Sequence, residues 1–298
     1  MRIIVLGSAA GGGFPQWNSA CAVGGRAWRH DPAAHWRTQC SLAISADDQR
    51  WVLLNASPDL RQQILATPAL HPKAAPRHSP ITAVLLTNGD IDHVAGLLTL
   101  RESQPFDLYA TAAILDVLAA NPVFDALNPA YVARHRLALD EAIEVAGLTI
   151  LAFAVPGKVA LYLERGEPVI GGEGEDTIGL EVRAGGKRFY FVPGCARLTD
   201  GLAARLAGAP LIFFDGTLWT DDEMVRSGTG AKTGARMGHI SVSGPDGSLA
   251  ALASLDVGRK VYIHINNTNP MLLDDSPERA VVLRAGWEVA HDGMEVRL

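Results

Sequence analysis

The stretch VLLTNGDIDHVAGLL, residues 84–98, constrains the chain more than any other. An apolar run of strand length breaks at a polar, glycine-bearing turn and resumes with helix-like spacing, which reads as a buried strand feeding a helix. Ligands commonly bind at such a junction, outside the carboxyl ends of strands. Asp90, Asp92 and His93 sit there. Carboxylate oxygen and imidazole nitrogen suit iron, manganese or zinc, and three such groups within four residues can face one ion only from a turn. A purely structural alternative makes Asp92 the cap of a helix starting at His93 and Asp90 a solvated turn residue.

Similar apolar runs recur along the chain. RIIVL, SLAIS, RWVLLNA, AVLLT and FDLYA read as strands of a first group, and LTILAFAVPG, IGLEVRAGGKRFYFVPG, LIFFDGT and KVYIHI as a second, with the turn of the long one at Gly185 and Gly186. Helices are expected at SPDLRQQILA, capped by Ser57, at HVAGLLTLRES, at TAAILDVLAAN, capped by Thr111, and near DGLAARLAG, GSLAALASL and SPERAVVLRAGW. Two short strands close the chain. No linker rich in Gly, Ser or Pro divides the halves, so residues 1–298 are expected to form a single α+β domain of sheets packed between helices.

Three more polar groups follow apolar runs. Asp215 ends LIFFD, His239 lies in RMGHIS and His264 within VYIHINN. Each alone reads as a cap or a satisfied core histidine, but acids and histidines repeated at strand ends are the pattern of a site assembled from several loops. Asn266, Asn267 and Asn269, which follow His264, could fix an imidazole tautomer or bind a polar substrate; otherwise they mark Asn-rich turns. The loop GSAAGGG lacks the spacing of a dinucleotide or nucleotide-phosphate loop and is read as close backbone packing.

Composition excludes several classes. A net charge of -6 and no visible basic patch argue against nucleic acid as a partner. No apolar run approaches the roughly 18 residues of a membrane span, and none at the start resembles an export signal, so a cytoplasmic protein without membrane attachment is expected. Cys21, Cys40 and Cys195 have neither disulfide nor zinc-site spacing and are expected to be reduced. No nucleophile motif around Ser or Cys appears.

The assembled residues resemble the metallo-β-lactamase superfamily, in which HxHxDH after a strand supplies ligands to a two-metal site. The same register here reads Asn88-x-Asp90-x-Asp92-His93, and the position of another usual ligand histidine, after a VPG turn, holds Lys158. Within the superfamily the chain resembles the B-protein family of coenzyme PQQ biosynthesis along nearly its whole length, through VLGSAAGGGFPQWN, LLNASPDLRQQI, TNGDIDHVAGLLTLRE, GTGAKTGARMGHI and HINNTNP. That resemblance implies an αββα four-layer sandwich and a part in making pyrroloquinoline quinone (PQQ) from a Glu-Tyr precursor, as an iron-dependent hydroxylase of the tyrosine ring or as a carrier of the cofactor or its precursor. A metal-dependent hydrolase is the third reading, disfavoured by Asn88 and Lys158.

Resemblance and residue chemistry together imply one Fe(II), replaceable by zinc, held by His93, His264 and Asp92, with Asp90 as a further candidate, and dioxygen as co-substrate. Asp215 and His239 would be further ligands or groups that orient ligands and relay protons. Family members often carry a Cys-rich zinc motif after FPQWN; here SACAVGG keeps only Cys21, and no structural zinc is expected. The expected partners are a small peptide or dipeptide precursor of PQQ and other proteins of the same biosynthesis, and a homodimer is left open.

Overall fold

The apolar runs pair into two mixed sheets in the computed structural model, which describes residues 1–298. In chain order the strands are β1 (Arg2–Gly7), β2 (Ser41–Ser45), β3 (Trp51–Leu54), β4 (Ile81–Leu85), β5 (Phe106–Ala110), β6 (Val132–Arg136), β7 (Ala142–Val145), β8 (Leu148–Ala154), β9 (Ile178–Ala184), β10 (Lys187–Val192), β11 (Ala209–Asp215), β12 (Val257–Ile263), β13 (Trp287–Val289) and β14 (Glu295–Arg297). The first sheet runs β14-β1-β2-β3-β4-β5-β6 and the second β13-β12-β11-β10-β9-β8-β7. Each is antiparallel on one side and parallel on the other: pairing turns parallel from β3 to β6 in the first sheet and from β10 to β13 in the second.

Side chains alternate across a strand, so each strand serves two cores. Ile3, Val5, Leu42, Ile44, Val52 and Leu54 of the first sheet meet Leu180, Val182, Phe189, Phe191, Phe213 and Val261 of the second. The residues between them face outward: Ile4, Leu6, Ala43, Leu53 and Val84 pack under Leu60, Leu97, Ile114 and Leu118. On the far side Tyr190, Val192, Ile212, Phe214 and Tyr262 pack under Leu202, Leu206, Leu252 and Val282. Three apolar interfaces between four layers give the expected αββα sandwich. Burial on both faces also explains why these strands read as unbroken apolar runs.

Most expected helices form, including Ala112–Ala119, where Thr111 Oγ1 accepts from the Ile114 N–H, and Pro277–Arg284, capped by Ser276. Two differ. Helix Leu60–Ala66 starts after Asp59, and Ser57, expected as its cap, instead donates to Gln63 Oε1 at 3.2 Å. The stretch after Asp90 is one α-turn, Ile91–Val94, followed by a 3-10 segment, Ala95–Leu100. β6 and β7 are not legible in the sequence, because VARHR and AIEV lie at the two sheet edges, half solvated, and lack clean alternation. Gly185 and Gly186 make the expected turn at φ 57° and 74°, the left-handed pair that a two-residue hairpin needs.

Gly96 fixes how the site-bearing segment seats on β3. A Cβ there would lie 2.1 Å from the Ser57 carbonyl oxygen, too close for contact with rigid backbone. Gly96→Ala is therefore expected to destabilise the protein by about 2 kcal/mol or more, read as a lowered midpoint in urea denaturation. No helix is long and apolar enough to cross a membrane.

Candidate metal centre

Strand ends from both sheets converge on one rim. Beyond β4 the chain turns through Thr87–Asp90 into Ile91–Val94, which carries Asp92 and His93. In the other sheet β11 and β12 run parallel with Asp215 opposite Ile263, so Asp215 and the next residue of β12's path, His264, arrive side by side. His264 was expected inside its strand; it lies one residue beyond, at φ 58°. That left-handed backbone costs about 1–3 kcal/mol in a non-glycine residue and turns the imidazole off the strand's line toward Asp92. His239 follows the turn Gly234–Met237, which Gly238 ends at φ 85°.

Two groups of donors result, Asp92–His93–His264 and Asp215–His239–His264, each with its donor atoms within 4.8 Å of one another and with His264 common to both. Asp92 Oδ2 lies 3.0 Å from His264 Nε2 and 3.8 Å from His93 Nε2. Donors bound at about 2.0–2.2 Å to a common ion lie roughly 3–3.5 Å apart, so this spacing suits a metal without rearrangement. His93 is buried and its Nε2 has no hydrogen-bond partner in the protein. An orphaned imidazole nitrogen beside a carboxylate fits a metal ligand.

Thr217 organises the second group. Its hydroxyl lies 2.6 Å from Asp215 Oδ1, 2.8 Å from His264 Nδ1 and 3.1 Å from His239 Nδ1. A hydroxyl has one proton, and the shortest contact assigns it to the carboxylate. His264 Nδ1–H then donates to Thr217, and His239 Nδ1–H to Asp215 Oδ2 at 2.6 Å, which leaves the His239 Nε2 lone pair free; His264 Nε2–H donates to Asp92 Oδ2 at 3.0 Å, a proton that a bound metal would replace. Cys195 N–H also donates to Asp215, at 2.8 Å. On the other side Asn55, the residue after β3, bonds the backbone and side chain of Thr87, whose hydroxyl lies 3.4 Å from His93 Nδ1.

Charge follows from burial and neighbours. Burial opposes ionisation of Asp92, but the hydrogen bond and charge of His264 outweigh it and hold the carboxyl below the usual range. Asp215 is likewise buried and likewise held low, chiefly by His239. Burial pushes His93 down to about 4, so its imidazole is neutral and able to ligate at neutral pH. For His264 burial acts downward, yet the contact with Asp92 prevails and raises it. Cys40 and Cys195 are free, buried and pushed up by desolvation, hence un-ionised thiols.

Asp90 stands apart from both groups. It occupies the extended position before Ile91–Val94, and its Oδ1 accepts the Leu161 N–H at 3.0 Å, so it braces a loop across the rim instead of joining the donor groups. Of the asparagines, Asn269 caps the turn Pro270–Leu272 and donates to the Gly216 carbonyl, and Asn267 is bonded to Gln16 N and Ser19. Both are thus occupied in joining loops, as Asn-rich turns require, and are not free for substrate. Asn266 alone borders an open polar cleft of about 400 Å³, with Gln16, Asn18 and Thr229. The sequence reading missed Thr217 and Asn55; the polar residue after a buried strand, as in FDGT and LLNA, was the available signal.

Beneath that cleft Glu223 is buried without a cationic partner, holding Thr268 and the Trp219 N–H, and burial pushes its carboxyl up to about 7. A folded carboxyl raised above its unfolded value binds extra protons, so stability falls as pH rises from about 4.5 to about 7. The loss is expected to reach roughly 3 kcal/mol, and Glu223→Gln is expected to flatten the dependence in melting curves across that window.

Two facing mixed sheets with carboxylate–imidazole groups on a shared rim define a domain of the β-lactamase superfamily, and the family model described as Beta-lactamase superfamily domain matches residues 50–265. Coenzyme PQQ synthesis protein B of Xanthomonas campestris pv. campestris (strain B100) is 60% identical over 299 residues, and that of Methylobacterium sp. (strain 4-46) 58%, each alignment covering 100% of both chains. The chain belongs to the coenzyme PQQ synthesis protein B family. The crystal structure of Zn(2+)-bound PqqB from Methylobacterium extorquens superposes with a TM-score of 0.98 at 56% identity, covering 100% of each chain. A diphosphatase from the PhnP family shares the fold, with a TM-score of 0.70 at 22% identity over 100% of this chain and 97% of its own.

Proposed function

We propose that this protein acts in the biosynthesis of pyrroloquinoline quinone as an Fe(II)-dependent hydroxylase of the tyrosine ring in a Glu-Tyr-derived precursor. The observation that carries the reading is His93 Nε2, buried and unpartnered beside Asp92 and His264. Asp92, His93 and His264 would hold the metal, a two-histidine, one-carboxylate set that suits ferrous iron and also accepts zinc, the metal in the Methylobacterium extorquens relative. Ferrous iron, when bound, supplies the activation of dioxygen.

The protein's residues do the rest. Thr217 and Thr87 fix the imidazole tautomers from behind. The Asp215–His239 pair, with His239 partly exposed at the rim, can hold or pass the proton released when the ring rearomatises. Gly11 passes close to the Asp92 carboxylate, where an added Cβ would lie 3.5 Å from it. The hydrolytic reading is weakened by Asn88, whose Oδ1 accepts the Asp90 N–H, and by Lys158, which is paired with Glu164; neither offers an imidazole.

Protein loaded with Fe(II) under anaerobic conditions and then given oxygen, a two-electron reductant such as ascorbate, and Glu-Tyr is expected to yield a peptide heavier by one oxygen atom, the second oxygen atom leaving as water, and zinc-loaded protein none. No mass gain with iron would overturn the hydroxylase reading. Peptide or quinone binding that survives chelation would replace it with the carrier.

A further inference from the structure

A cationic cluster beside this centre is unused by the reactions above. Glu164 takes ion pairs from three side chains: Lys158 Nζ at 3.1 Å, Lys232 Nζ at 3.3 Å and Arg236 Nη2 at 3.0 Å. Arg236 grips both carboxylate oxygens, with Nη1 at 3.2 Å from Oε1. Glu164 offsets one cation and Glu167 bears on another through space, so the cluster keeps a net positive charge. Glu167 makes no hydrogen bond or ion pair to Arg236, although its charge reaches that side chain. A single cation would neutralise Glu164 and cations packed together repel, so charge balance alone does not explain three on one acid.

Placement ties the cluster to the centre. Arg236 precedes His239 by three residues, and the Lys158 stem runs against Gly238, where a Cβ would lie 3.2 Å from its Cγ. The loop that brings in Lys158 and Glu164 is anchored at the opposite lip by Leu161 N–H on Asp90 and by Tyr162 OH on the Gly89 carbonyl at 2.8 Å. Lys158 is nearly buried, while Lys232 and Arg236 keep about a third of their side chains in solvent (38% and 35%), open to an incoming anion. Ile91, Leu161 and Tyr162 expose apolar surface along the same lip.

We infer that Lys232 and Arg236, backed by Lys158, form the subsite for a substrate carboxylate, with the ring of the same molecule lying along the apolar lip toward His239. This rests on the tyrosine-peptide reading above and names what selects the substrate: a carboxylate-bearing peptide over a neutral one. Glu164 holds the Arg236 fork through Nη1 and Nη2, so an incoming carboxylate would meet the outward N–H groups of Arg236 and the Lys232 ammonium; the resident Glu164 shows that the cluster accepts that group.

Calorimetry on zinc-loaded protein with N-acetyl-Glu-Tyr and with the uncharged N-acetyl-Gln-Tyr amide tests this, beside Glu-Tyr itself. The parent is expected to bind N-acetyl-Glu-Tyr at least about 10-fold more tightly than the amide, and Lys232→Gln/Arg236→Gln to erase that preference while zinc content stays at the parent level. Should the double variant lose zinc or fail to fold, Lys232→Gln alone, at an exposed position, is expected to lower the preference several-fold. A preference unchanged in whichever variant folds overturns the subsite and leaves the hydroxylase reading standing. If the parent binds none of these peptides, the Glu-Tyr reading falls and the subsite with it.

Discussion

Asp92→Asn is expected to weaken binding of zinc or ferrous iron by at least about 100-fold and to abolish turnover with it. The substitution keeps shape and hydrogen-bonding capacity but removes a charge held in the ionised state between two imidazoles. Without that anion a dication would sit in a buried site facing neutral nitrogens only, and the energy of desolvating it would go uncompensated. Competition against a chromogenic chelator reads the affinity directly, independent of any assay for the product. Parent-like affinity in Asp92→Asn would place the metal with Asp215, His239 and His264 instead. The helix-cap reading of Asp92 is excluded by the turn Ile91–Val94, which contains Asp92 and has Asp90 at the capping position.

Thr217→Val is expected to cost 10–100-fold in metal affinity and about 1–3 kcal/mol of stability in the metal-free protein. Valine preserves volume, so the effect isolates the hydroxyl. That hydroxyl is the shared partner of Asp215, His264 and His239 in a buried position, and its loss leaves the His264 Nδ1–H without that acceptor and Asp215 Oδ1 with only the Thr217 N–H. His264 would then be free to change tautomer and turn its lone pair away from Asp92. Chelator competition and urea denaturation, run on one preparation, separate the two effects. Serine at this position, which restores the hydroxyl, is expected to recover most of both.

How much of this centre the sequence discloses depends on which interaction places each residue. Asp92 and His93 are legible because a local rule applies: a buried strand that breaks at a glycine turn and enters a helical turn must expose the first polar residues at the sheet rim. Asp215 is legible for the same reason, as an acid directly after LIFF. His264 is legible as a residue of interest but not in conformation, because its left-handed backbone is imposed by the Thr217 contacts from a neighbouring strand end and by Asp92 from the other sheet. Asp90, Asn267 and Asn269 show the opposite case. Their type suits a site, yet Asp90 is drawn to Leu161, 71 residues away, and Asn267 to Gln16, 251 residues away, pairings that no local pattern encodes.

The sequence by itself determined the layered class, the strands with two buried faces, most of the helices and the repeated placement of acids and histidines at strand ends, because alternation, turn chemistry and capping act over a few residues. Only the tertiary structure decided which of those side chains meet. The facing of two sheets brings residue 92 within 3.0 Å of residue 264, and the parallel register of β11 with β12 sets Asp215 beside His264. Sequence spacing carries no distance across a core, and donor atoms must agree to within a fraction of an ångström before a carboxylate and two imidazoles can share an ion.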